Sequence, residues 1–205
     1  MKNVNSRANI RNLSLKLLVA AAAFGAASSA QAATTNVPAS ATVVPPITVS
    51  QPGDLRFGTI APVATAGTIV LPVIATIPAT APTTAAPIIT GTRTATGGVI
   101  MVGGGTCSAT VLCGNGSLQV QGPNSGSFAT VTLPATVTLT SGANTMTVGT
   151  LTRRYGAEGT AGVITGAGAF SATGTAVLLI GGTLAVGANQ ASGAYAGTMA
   201  VTVDY

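Results

Sequence analysis

Gly193-Ala-Tyr-Ala-Gly-Thr-Met-Ala-Val-Thr-Val-Asp-Tyr205 is the stretch whose reading decides the fold. Successive side chains of a strand point to opposite faces. Gly193, Tyr195, Gly197, Met199, Val201, Val203 and Tyr205 therefore share one face, and Ala194, Ala196, Thr198, Ala200, Thr202 and Asp204 share the other. Large apolar groups on one side and small or polar groups on the other predict a half-buried β-strand with its apolar face turned to a core. The pattern runs to Tyr205. An end segment stays ordered when a sheet holds it, so this strand is expected to be integral to the fold and available for assembly contacts.

Upstream, no stretch after residue 32 sustains a 3.6-residue apolar period over a usual helix length. Short β-branched runs recur between Gly, Pro, Ser and Asn, which predicts an all-β sandwich or barrel. The expected strands are Val43–Val49, Leu55–Ile60, Thr68–Ala75, Gly98–Val102, Leu118–Gln121, Ser127–Leu133, Ala135–Thr140, Thr145–Leu151, Gly162–Ala172, Ala176–Val186 and Ala194–Tyr205. Gly181-Gly182 is expected to break the tenth of these, and Pro134 to mark an edge or corner, since proline brings no N–H to a ladder. Residues 77–116 read as a Pro/Thr/Ala/Gly-rich insertion in a single domain.

At the other end, Lys2, Arg7, Arg11 and Lys16 precede an apolar run from Leu17 to Ala27, and Ala30-Gln31-Ala32 is a small-x-small cleavage site. These parts predict a secretory signal peptide over 1–32, cut between Ala32 and Ala33. The mature chain would keep Arg56, Arg93, Arg153 and Arg154 against Asp54, Glu158 and Asp204, a net charge of +1. A nucleic-acid binder needs a clustered basic surface, so none is expected. The apolar run is too short for a membrane span of about 20 residues. Charged residues are only 5% of the chain. So uncharged a surface suits a protein packed among neighbours or held at a cell surface, because low charge costs an isolated monomer solubility.

Cys107 and Cys113 are the only cysteines. An even count in a secreted chain reads as a disulfide, here closing a loop short enough to act as a local clasp worth about 2 kcal/mol. A metal site is the alternative, but the chain has no histidine and its acids are scattered. The missing histidine also removes the usual base for a hydroxyl nucleophile, and both lysines lie in the leader. Gly103-Gly104-Gly105-Thr106 and Gly181-Gly182-Thr183 have no Walker lysine and read as turns or bulges. No enzyme activity, cofactor or metal is expected.

Asp54-Leu55-Arg56-Phe57-Gly58-Thr59-Ile60, Ile180-Gly181-Gly182-Thr183-Leu184-Ala185-Val186 and Gly193-x-Tyr195-x-Gly197-x-Met199-x-Val201-x-Val203-x-Tyr205 follow one another in this order. Together they resemble the secreted bacterial proteins of domain-of-unknown-function family 4402, over about residues 43–205. That family is similar to pilin-like subunits of Gram-negative bacteria, including chaperone–usher pilins and spore-coat-U-type proteins. The resemblance implies an immunoglobulin-like, pilin-like antiparallel β-sandwich and a surface or fimbrial role. It also implies association with copies of itself or related subunits, with a periplasmic chaperone and an outer-membrane usher as partners.

The expectation is thus a secreted structural subunit, in the periplasm, on the outer surface or outside the cell, joined to its neighbours by β-strand addition. Ala33–Val49 is the candidate donor arm, with Val37, Val43 or Val44, Ile47 and Val49 as its apolar positions; alternatively Val43–Val49 is the first strand of its own domain. A second reading, of another class, is an adhesin or binding module that presents the 77–116 region, with Arg93, Arg153 and Arg154 as the residues to test.

Overall fold

The computed structural model describes residues 32–74, 91–108, 110–128, 130–157 and 168–205. The signal-peptide reading of residues 1–32 therefore lies outside the described residues except for Ala32. Two units are distinguished, Met1–Thr42 and Val43–Tyr205, and residues 32–42 of the first contain no helix or strand.

The second unit holds Thr48–Gly53 (β1), Arg56–Phe57 (β2), Ile60–Leu71 (β3), Thr94–Met101 (β4), Cys113–Gly114 (β5), Gly116–Gln121 (β6) and Ser127–Phe128 (β7). It continues with Thr130–Thr132 (β8), Val137–Ser141 (β9), Asn144–Ala157 (β10), Gly168–Ala169 (β11), Thr175–Val186 (β12) and Thr202–Asp204 (β13). Every ladder is antiparallel, and the described residues contain no helix. The fold is the all-β, antiparallel class that the sequence predicts.

β12 is the axis of the seven-stranded main sheet. One of its edges carries β10 and then β9. The other edge is shared: Thr175–Ile180 pairs with β6, which leads on to β1, and Gly182–Val186 pairs with β3, which leads on to β4. Gly181-Gly182 does not break the strand, contrary to expectation; it marks the change of partner. A side chain at Gly181 would collide with the Leu71 carbonyl oxygen, so glycine lets the end of β3 come close. Opposite, β10 takes up one extra residue between Gly149 and Thr152 as a β-bulge, which curls the sheet.

The curl encloses two adjoining apolar clusters. One is built on Phe57, Ile69, Leu71, Val148, Leu184 and Val186, the other on Val120, Val131, Tyr155, Phe170, Leu178 and Ile180. Leu55, Leu151 and Met199 touch both. The first half of β12 is buried on both faces, since Val177 and Leu179 pack separately against Val73 and Ile74. That double burial accounts for its unbroken apolar run.

Several expected boundaries move. β1 begins at Thr48, and residues 43–47 form no strand. Leu55–Ile60 yields only the two-residue β2 before β3 starts at Ile60. Residues 162–167 of the expected Gly162–Ala172 strand lie outside the described residues, as do 77–90 of the expected insertion. From residue 91 on, the expected insertion carries strands. β4 ladders with β3 from Thr94 to Met101, and β5 and the start of β6 belong to the same domain.

Candidate functional site: an apolar cleft beside the C-terminal segment

The C-terminal segment runs antiparallel to residues 130–140 and is held at its two ends. Thr202, Val203 and Asp204 pair with Thr132, Val131 and Thr130, and Ala196 exchanges both main-chain bonds with Thr140, at 2.8 and 3.1 Å. Between these anchors Thr132 to Thr140 spans eight steps while Ala196 to Thr202 spans six. The surplus on one side, centred on Leu133-Pro134-Ala135-Thr136, spoils the register, and Pro134 has no N–H to offer. Among the described residues, 197–201 form no ladder.

The expected alternation still holds for four of the seven motif residues. Tyr195, Met199, Val201 and Val203 are half-buried against the core clusters, and the residues between them are exposed. Gly193 and Gly197 are exposed, and each is glycine for lack of room. A Cβ at Gly197 would strike the Thr138 carbonyl oxygen, and one at Gly193 would strike the Ser141 hydroxyl. Both glycines let the segment lie close on β9. Tyr205 departs from the expectation of an inward side chain. It is 45% exposed, and its hydroxyl donates to the Pro45 carbonyl. A phenol beyond the last ladder pair finds an acceptor at the surface more readily than in a core without one.

Tyr195 fixes the start of the segment. Its hydroxyl donates to the Ala191 carbonyl at 2.8 Å and accepts from Gln190 Nε2 at 2.7 Å, and Gln190 Nε2 also donates to the Thr145 carbonyl at 3.2 Å. The aromatic ring stays in the core while its polar tip ties the 187–195 turn to β10, the arrangement of a tyrosine corner.

Between the C-terminal segment and the β1–β2 region lies an open cleft of about 1160 Å³. Leu55, Phe57, Met146, Leu184, Met199 and Val201 give it an apolar lining. Arg56, ion-paired with Asp54 at 3.0 Å, stands at its wall. Such a cleft suits an extended apolar chain. It offers side-chain space inside and, along 197–201, main-chain groups with no ladder partner among the described residues.

Cys107 and Cys113 are joined, with Cα atoms 4.9 Å apart. The local clasp does not lie at the surface: the two residues are 5% and 0% exposed and belong to the core cluster of Phe57. Arg93 is corrected as well. It is 1% exposed and cannot serve as a surface recognition residue. Its guanidinium donates to the carbonyls of Phe57, Thr59 (3.1 Å), Val102 (2.7 Å) and Gly104 (3.1 and 3.2 Å), knitting two loops together. Burial pushes this guanidinium below its ordinary range by desolvation. Arg154 reaches the Ile74 carbonyl at 3.1 Å, and Arg153 is exposed. No signal in the sequence marks Arg93 as buried, because the carbonyls that neutralise its cost belong to distant loops.

Among the described residues, no group of three His, Cys, Asp or Glu side chains could hold a metal ion, and no helix is long and apolar enough to cross a membrane. Residues 47–205 match the family described as Domain of unknown function (DUF4402), and the chain belongs to that family. No curated protein and no solved structure matches the chain.

Proposed function

We propose that this chain is a secreted, non-catalytic structural subunit of a cell-surface or fimbria-like assembly, pilin-like in design, whose copies join by β-strand addition. The observation that carries this reading is the apolar cleft bordered by the unladdered stretch 197–201. In strand addition, main-chain hydrogen bonds supply the affinity and alternate side chains entering pockets supply the specificity. A half-open core beside main chain that has no ladder partner among the described residues meets both requirements. The near absence of charge in the mature chain supports packing among like subunits rather than life as a free monomer. The donor is a segment of a second copy from Ala33–Val49, whose Val37, Val43 and Val44 are exposed apolar side chains. Its last two residues belong to β1 of their own domain, Ile47 packs on the core and the Pro45 carbonyl is held by Tyr205, so the free part ends at Val44. A periplasmic chaperone and an usher would supply the capping and export that such a subunit needs.

The test is the state of the mature protein, beginning at Ala33, in surface extracts and after purification. The reading expects a ladder of oligomers that resists SDS and collapses to monomer on heating, and its loss when Val37 and Val43 are both changed to Asp. A protein that stays monomeric at all concentrations, with no ladder in extracts, contradicts it.

A further inference from the structure

Part of the cleft lining away from the C-terminal segment is joined to the disulfide ring. β5 begins at Cys113 and pairs with β2 through Phe57↔Cys113 and Arg56↔Gly114, and Arg56, Phe57 and Gly58 line the cleft. Leu112, the ring residue before Cys113, lines it too and is 50% exposed. Its φ is 54°, the left-handed region that a branched aliphatic residue seldom adopts. The ring is braced within and behind. Leu112 N–H donates to the Ser108 carbonyl at 2.9 Å, and Val111 N–H donates to the Ser108 hydroxyl at 3.2 Å. Gly58, with φ 75°, leaves no room for a Cβ: one there would stand 2.7 Å from both the Val111 carbonyl oxygen and Arg93 Nη1. A strained backbone of this kind persists only where its surroundings over-determine it, and it gathers where a side chain has to be aimed.

We propose that the Cys107–Cys113 ring is a positioning device for strand acceptance. Covalent closure holds Leu112 in its left-handed conformation and keeps β5 on β2. Together they form the wall on which one row of the incoming strand's side chains packs, while Met199 and Val201 receive that row from the other side. Leu112 is the contact residue and the disulfide is what aims it. Reduction by a dithiol, which gives two electrons and two protons to the sulfurs and itself becomes a disulfide, removes the closure and with it the wall. This inference rests on the strand-acceptance reading of the cleft and assigns the ring a role in it.

The experiment uses the mature protein and a fluorescent synthetic peptide of residues 33–49. Leu112→Gly removes the side chain and suits the positive φ, so the variant keeps its fold. It should weaken peptide binding about tenfold, equivalent to about 1.4 kcal/mol. Cys107→Ser with Cys113→Ser should lose binding and lose hydrogen-exchange protection at the β2 and β5 amides while β12 stays protected. Unchanged binding in Leu112→Gly, or unchanged β2 and β5 protection in the double variant, overturns the proposal. If the double variant does not fold, Leu112→Gly decides alone. If the unaltered protein does not bind the peptide, strand acceptance fails as a function, and the β2 and β5 amides still decide whether the ring holds the wall.

Discussion

β12 and the C-terminal segment carry the same kind of sequence, apolar side chains interrupted by glycines, yet they end in different states. β12 is laddered on both edges, and the side chains from Ala176 to Ile180 are fully buried. The C-terminal segment is anchored at Ala196 and at Thr202–Asp204 and has no ladder between them among the described residues, with Tyr195, Met199, Val201 and Val203 half-buried. Alternation fixes which face of a strand turns inward, and the neighbour decides whether its main chain is paired. β12 lies between long strands whose register adjusts through a bulge. The C-terminal segment lies beside Leu133–Thr136, where Pro134 interrupts the ladder, and beside the cleft.

The largest test of that contrast is in β12. Leu178→Ala removes a fully buried side chain and should cost about 2–5 kcal/mol, read as a lower urea midpoint with unchanged slope. A cost below about 1 kcal/mol would place Leu178 outside a packed core.

Truncation after Thr198 comes next. It removes Met199, Val201 and Val203, which are half-buried, so about 1 kcal/mol each and about 3 kcal/mol in all should be lost. The truncated protein should fold marginally and aggregate, as followed by thermal unfolding and light scattering. A loss equal to that of three fully buried residues would mean the segment is already sealed into the core, and the cleft would go with it.

A smaller effect is expected at the anchor. Tyr195→Phe keeps the ring and deletes the hydroxyl bonded to Ala191 and Gln190, so it should cost about 1 kcal/mol in the same unfolding assay. The smallest concerns the outer face: Thr202→Lys should shift monomer stability by no more than about 0.5 kcal/mol, because Thr202 is exposed.

The parts of the fold that could be read from the sequence are those carried by local pattern. Alternation placed β9 and the inward set Tyr195, Met199, Val201 and Val203, and short apolar runs between turn residues placed β6 and β12. What was hidden depends on contacts far apart in the chain. Ile60–Leu71 reads as a turn followed by a strand because Pro62 and Gly67 interrupt it, yet β4 holds it as one strand with a register shift between those two residues. Arg93 reads as a surface charge because its acceptors are carbonyls up to thirty-six positions away. The cysteine pair was visible as a pair, but its place in the core was not, since that follows from the short β2–β5 ladder. The cleft was invisible for the same reason: alternation says that Met199 and Val201 turn inward and is silent on whether anything fills the space before them.

In the proposed assembly the main chain of residues 197–201 is free in the isolated subunit and becomes paired when a strand is added. Hydrogen exchange at the Gly197, Thr198, Met199, Ala200 and Val201 amides, measured on the monomer and on the assembled or peptide-bound protein, tests it directly. The account predicts fast exchange in the monomer, beside slow exchange in β12, and strong protection of these five amides once a strand is added. Amides already protected in the monomer, or equally exposed in both states, would contradict it.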